Sequence, residues 1–187
     1  MINRLNKVGI LGGGTMGRGI AVVVAQAGME VLLCEKNPEA AEAASHRLAD
    51  ELDYEISRWA LTASDKRALM KKISVTTNLA EISGLGLFIE AIPEEFDLKV
   101  KLFNQLSTVC SANSIFVTNT STLSITKMAE RLQHPDRFIG VHFMNPVLKM
   151  ALVELIRGLK TSDATYQFVR EFLISLGKTP IEVYEYP

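Results

Sequence analysis

The feature that most constrains this chain is the alternation of short apolar runs with helix-forming stretches along almost its whole length. Val8 to Leu11, Glu30 to Cys34, Ile73 to Thr76, Leu85 to Ile89, Ser114 to Thr118, Phe138 to Phe143, Leu152 to Ile156 and Pro180 to Tyr184 read as strands. Between them lie Thr15 to Ala27, Pro38 to about Arg58, Ser64 to Lys72, Leu98 to Cys110, Ser124 to Leu132 and Asp163 to Leu176, which read as helices. Strands that alternate with helices need crossover connections. The expectation is therefore an α/β fold, a doubly wound and mostly parallel sheet covered on both faces. One departure from strict alternation is a helical hairpin inserted after the second strand, at about 38–72. There Leu48, Leu52, Ile56 and Trp59 recur at helical spacing, and the polar remainder is read as a solvated face.

Helix boundaries carry chemical signals. Asn37-Pro38 places an N-cap before a proline at the first helical position, and Gly28 suits the residue just past a helix end. With 187 residues, the chain suffices for one domain spanning 1–187 and is short for two. No repeat or flexible linker divides it.

Apolar residues make up 48% and charged ones 22%, with a formal net charge of −1. That balance gives no electrostatic reason to expect a nucleic-acid or membrane partner. Cys34 and Cys110 stand far apart with no ligand-like spacing, so no metal site and no disulfide is expected, and a reducing cytoplasm fits. Cys34 ends an apolar run and reads as a buried thiol. The basic start, Met1 to Lys7, precedes an apolar stretch too short for a signal peptide or a span.

Gly12-x-Gly14-x-x-Gly17 lies between the first strand and the first helix. Gly12 permits the sharp turn, Gly14 lets backbone approach a pyrophosphate, and Gly17 lets helix and strand pack closely. The helix N-terminus offers free N–H groups to phosphates. Glu35 follows Gly17 by 18 residues (35 − 17) at the end of the second strand, where a carboxylate accepts hydrogen bonds from the adenosine ribose. A carboxylate there repels a 2′-phosphate and so selects NAD over NADP. The whole is a Rossmann-type dinucleotide site.

Ligands in such sheets sit at the carboxyl ends of the strands. Three ends deliver reactive groups: Glu90-Ala91-Ile92-Pro93-Glu94, Thr118-Asn119-Thr120-Ser121-Thr122 and His142-Phe143-Met144-Asn145-Pro146. Of three histidines, His46 lies on a polar helix and His134 in a turn, so His142 is the candidate general base. Glu154 stands in the apolar run Leu152 to Ile156, where a carboxylate is costly unless paired. His142 is its obvious partner; Arg157 or Lys149 are the alternatives.

These stretches, together with Gly12 to Ala21, resemble the 3-hydroxyacyl-CoA dehydrogenases in order and approximate spacing. The Asn119-Thr120-Ser121 and His142-Phe143-x-Asn145-Pro146 segments are the most specific part. The resemblance implies NAD-dependent oxidation of a (3S)-hydroxyacyl-CoA to the 3-oxoacyl-CoA. It assigns His142 as base, Glu154 as its partner and Ser121 as a donor to the substrate oxygen. Gly12, Gly14, Thr15, Met16, Gly17 and Glu35 fall to the cofactor loop and adenosine ribose, and Glu94, Lys99 and Asn119 to the nicotinamide ribose end. An acyl-CoA substrate, fatty-acid metabolism and β-oxidation follow from the same resemblance.

The chain departs from the family pattern on the substrate side. Met144 stands where phenylalanine is usual, and Ala151 where lysine precedes Leu152-Val153-Glu154. The family's helical C-terminal domain is expected to be absent, since the chain stops at Pro187. With it would go an asparagine for the substrate carbonyl, much of the acyl pocket and a homodimer interface, so weak catalysis is expected of this chain alone.

Overall fold

The computed structural model describes residues 5–185. The basic start at Met1 to Arg4 and the closing Tyr186-Pro187 lie outside them. Within them the strands are β1 (Lys7–Leu11), β2 (Glu30–Cys34), β3 (Ile73–Thr76), β4 (Leu87–Glu90), β5 (Ile115–Asn119), β6 (Phe138–Phe143), β7 (Leu152–Arg157) and β8 (Thr179–Tyr184). The helices are α1 (Thr15–Gln26), α2 (Pro38–Ser57), α3 (Ala63–Lys72), α4 (Phe96–Val109), α5 (Ile125–Ala129) and α6 (Asp163–Ser175). All eight strands join one sheet in the order β3-β2-β1-β4-β5-β6-β7-β8. Every neighbouring pair is parallel except β6 and β7. The doubly wound fold and the helical hairpin after the second strand are thus as expected. The order reverses between β1 and β4, and a crevice opens there.

Alternation along each strand feeds two apolar layers. Val8, Ile10, Val31, Leu33, Ile89, Val117, Ile139 and Val141 pack against α1, the α2–α3 hairpin and α6. Leu11, Leu32, Phe88, Phe116 and Phe138 pack against α4 and α5. Phe88 and Phe116 stack with centroids 5.5 Å apart, and Phe103 meets Phe138 edge-on at 4.9 Å. Burying each such ring contributes about 1.5–3 kcal/mol relative to exposure. Gly9 leaves room for this layer, since a Cβ there would sit 2.8 Å from the Phe88 ring.

The caps behave as local chemistry dictates. The Asn37 side chain accepts from the Ala40 N–H at 2.8 Å, with Pro38 opening α2. Gly28 follows α1 at φ +97°. Helix α3 starts at Ala63 rather than Ser64, because Thr62 and Asp65 form a reciprocal capping box.

Two expectations need correction. The helix over Ser124 to Leu132 is only Ile125–Ala129: Ser124 caps it, and Arg131 and Leu132 close it with tight three-residue turns to Met128 and Ala129. Trp59 does not extend the buried stripe of α2. That helix buries Ala44, Leu48 and Leu52 and ends at Ser57, and Trp59 follows at φ 61° and 96% exposed.

Candidate active site

The glycine loop occupies the β1–α1 turn. Gly12 stands at φ +96°, and a Cβ there would meet the Ala91 carbonyl oxygen at 2.9 Å. At Gly17 a Cβ would lie 1.8 Å from the Gly12 carbonyl oxygen, so the helix can approach the strand only with glycine in this place. Gly14 is different. Its φ is −65°, open to any residue, and a Cβ would meet nothing within 4 Å. Neither strain nor packing within the protein calls for glycine at this point. What it leaves is space beside the start of α1, where no side chain caps the helix and no acidic residue stands in the first turn. Uncapped N–H groups at a helix start next to open space suit a phosphate group.

From this loop a groove of about 790 Å³ runs along the carboxyl ends of β2, β1 and β4. Gly12, Gly14, Thr15, Met16, Glu35 and Ile92 are among its lining residues. Glu35 sits at the end of β2 as expected. Its carboxylate accepts from the Gly13 N–H at 2.5 Å and from the Lys36 N–H at 3.1 Å. It therefore braces the glycine loop while facing the groove, a second task that the motif alone does not reveal.

Beyond the switch point the sheet edge is held by side chains. Glu90, closing β4, is fully buried. It accepts from Lys99 Nζ at 2.9 Å, Thr118 Oγ1 at 2.6 Å and the Ile92 N–H at 2.7 Å. Lys99, from α4, is equally buried, and its other contacts are Glu94 at 3.0 Å and the Asn119 carbonyl oxygen at 2.7 Å. An ammonium has three N–H groups, and three acceptors surround this one. A direct contact between Lys99 and a cofactor is therefore not formed in this arrangement. Lys99 acts on the site through Glu94 and Asn119.

Glu94 in turn accepts from the Thr120 hydroxyl and from the Ser121 N–H at 3.0 Å. Burial alone would raise its pKa, but these hydrogen bonds and the Lys99 charge outweigh that and hold it below the usual carboxylate range. In Glu90 the balance tips the other way, since complete desolvation pushes its pKa up against the pull of Lys99. Sequence places Glu90 at a strand end but gives it no task. Thr118 and Thr120 have none either. Their signal is a hydroxyl on either side of Asn119, where the apolar run of β5 ends.

Asn119 closes β5 and its side-chain oxygen accepts from the Phe143 N–H at 3.1 Å. That bond ties β5 to the residue after His142. In the antiparallel ladder His142 stands opposite Glu154, and His142 Nδ1 lies 2.8 Å from Glu154 Oε2. The alternatives fall away: Arg157 pairs with Asp163 and Lys149 with Glu55. His142 and Glu154 side chains are 27% and 33% exposed, within reach of a ligand yet shielded from bulk water. Ser121 is exposed in the loop after β5. Of the other histidines, His46 is exposed on α2, and His134, half-buried, precedes β6 at the end away from His142.

An open glycine loop, a groove across the switch point and a carboxylate-paired histidine at the same sheet edge define a dinucleotide-binding domain of the Rossmann type. The family described as 3-hydroxyacyl-CoA dehydrogenase, NAD binding domain, matches residues 7–186. The chain belongs to that family, and its cofactor is NAD. It is 39% identical over 183 residues to a probable 3-hydroxybutyryl-CoA dehydrogenase of Bacillus subtilis, covering 98% of this chain and 64% of that protein. The E. coli 3-hydroxyadipyl-CoA dehydrogenase is 36% identical over the whole of this chain, which covers 39% of it. Among solved structures, (S)-3-hydroxybutyryl-CoA dehydrogenase from Ralstonia eutropha superposes with a TM-score of 0.93 at 42% identity, over 98% of this chain and 65% of that one. The chain thus spans less than two thirds of the length of these relatives.

Proposed function

We propose that this chain is the NAD-binding half of an enzyme that oxidises (3S)-3-hydroxyacyl-CoA to 3-oxoacyl-CoA, reversibly, in fatty-acid or short-chain acyl-CoA metabolism. The observation that carries the proposal is the His142–Glu154 pair in the same sheet as the dinucleotide groove, because a domain that only binds NAD has no use for it. When bound, NAD supplies the acceptor for the hydride that leaves C3. Glu154 accepts from Nδ1–H and so fixes the tautomer that leaves the Nε2 lone pair free. Nε2 takes the proton of the 3-hydroxyl as C3 gives up its hydride, and Glu154 stabilises the imidazolium that results. Ser121 donates to the substrate oxygen. Asn119 and Glu94 hold the nicotinamide ribose end, Glu35 the adenosine ribose, and the backbone from Gly12 to Gly17 the pyrophosphate. In reduction His142 returns its proton to the forming alkoxide.

A second reading, a dehydrogenase of another hydroxy acid or of a carrier-bound hydroxyacyl group, is favoured by Met144 and Ala151, both on the substrate side. By resemblance to the family, the whole enzyme is a homodimer, and cysteine usage points to the cytoplasm. Unpaired thiols at Cys34 and Cys110 suit a reducing compartment.

The test is NADH oxidation with acetoacetyl-CoA, followed by nicotinamide absorbance. It compares this chain with a fusion to the C-terminal third of the Ralstonia eutropha enzyme. Turnover by the fusion, at a rate well above that of the chain alone, is expected. A fusion that binds NADH but reduces only other oxo substrates would establish the second reading instead.

A further inference from the structure

Arg18 belongs to no assigned role, yet it is 4% exposed in the first turns of α1. A buried guanidinium is expensive unless its donors are met. Here they are met from two directions. Nε reaches both carboxylate oxygens of Glu51 at 3.1 Å, and Nη2 reaches one of them at 2.5 Å. Nη1 donates to the Gly13 carbonyl oxygen at 2.7 Å. Glu51 lies on α2, in the helical insertion, with its side chain 44% exposed.

Gly13 is the middle of three consecutive glycines, the most mobile backbone a chain can present. Its N–H is taken by Glu35 and its carbonyl by Arg18. The Gly12 N–H is taken by the Cys34 carbonyl at 2.9 Å. Gly14, whose carbonyl oxygen accepts from the Arg18 N–H at 3.0 Å, is thereby held from one side and puts nothing into the open space. We infer that Arg18, clamped by Glu51, is a positioning residue for NAD: it fixes the Gly13 peptide so that the loop is already shaped for the pyrophosphate. The helical insertion is then part of the cofactor site rather than only a solvated face. Binding to a preordered loop avoids the entropic cost of ordering it. Losing the clamp therefore weakens binding without removing any ligand contact.

The test is NADH affinity of the intact chain, read by nicotinamide fluorescence, alongside thermal unfolding and amide exchange. Arg18→Met is expected to weaken NADH at least tenfold and to speed exchange of the Gly13 and Gly14 amides. Glu51→Ala, a change on a half-exposed helix face, is expected to weaken it about threefold to fivefold with little change in melting. The double variant is expected to match Arg18→Met, because Glu51 acts only through Arg18. Glu51→Ala keeps the proposal open to refutation if Arg18→Met does not fold. Wild-type NADH affinity in folded Arg18→Met or in Glu51→Ala would overturn it, as would losses that add in the double variant. Since the readout is cofactor binding, a failed substrate assignment leaves the outcome untouched.

Discussion

The two sides of the switch point solve their tasks by opposite means. On the β1–α1–β2 side the glycine loop works through backbone and missing side chains, with Glu35 and Arg18 bracing it. Gly12 turns, Gly17 permits contact, and Gly14 leaves room. On the β5–β6–β7 side the work is done by side chains that neighbouring strands deliver to one edge, with His142 and Glu154 meeting across an antiparallel ladder. The first site is local in sequence, within six consecutive positions from Gly12 to Gly17. The second needs strands that only the finished sheet places together. A binding function that must tolerate the chemistry of its ligand can rest on backbone geometry. A proton transfer cannot, because it needs a titratable group held at one distance and orientation.

This contrast can be broken by substitution. The largest effect is expected from Gly17→Ala. Its Cβ would collide with backbone rather than with a flexible side chain, so a destabilisation of at least about 3 kcal/mol is expected, read as a collapse of the melting transition. His142→Ala is expected to lower acetoacetyl-CoA reduction in the active fusion by roughly 10²- to 10⁴-fold, with NADH affinity unchanged. Glu154→Gln should follow with a loss of about 10²-fold, at the lower end of that range, again with NADH affinity near wild type. Equal losses of turnover and affinity in Glu154→Gln would make Glu154 a structural residue and blur the division.

On the cofactor side the signs reverse. Glu35→Ala is expected to weaken NADH about tenfold, in line with loss of a charge-assisted hydrogen bond, while hydride transfer at saturating cofactor holds. Gly14→Ala is the sharper comparison with Gly17→Ala. Stability should change by less than about 0.5 kcal/mol, because the added methyl meets no protein atom, yet NADH titration should show weakened binding.

The smallest effect concerns pH. The folded Glu94 carboxyl titrates below the usual carboxylate range. Its contribution to stability is therefore full above the unfolded value of about 4.3 and is lost as pH falls through the folded value. Glu94→Gln should lower stability at neutral pH and converge with wild type as pH falls through the folded value, so that the acid side of its stability-versus-pH curve is flatter. An unchanged acid limb would remove Glu94 from the account.

Much of the molecule is legible in the order of its residues. Periodicity locates every strand to within a residue or two, and Asn37-Pro38 and Gly28 mark helix boundaries through chemistry confined to neighbouring residues. The spacing from Gly12 to Gly17, with Glu35 after it, marks the cofactor loop for the same reason. The departures are also local in kind. Helix α3 opens one residue before Ser64 because Thr62 caps it and Asp65 reciprocates, and Trp59 carries helical spacing past the point where α2 ends.

What the sequence determined by itself was an α/β chain with a glycine-turn NAD site and a candidate histidine at a strand end, since each rests on residues close along the chain. Only the tertiary structure decided that β7 runs against β6 and so sets Glu154 opposite His142. It also decided that Lys99 is enclosed by Glu90, Glu94 and Asn119, and that Arg18 reaches from α1 to Glu51 and Gly13. These are contacts between different elements, and their partners are chosen by strand order and packing, which no local spacing encodes.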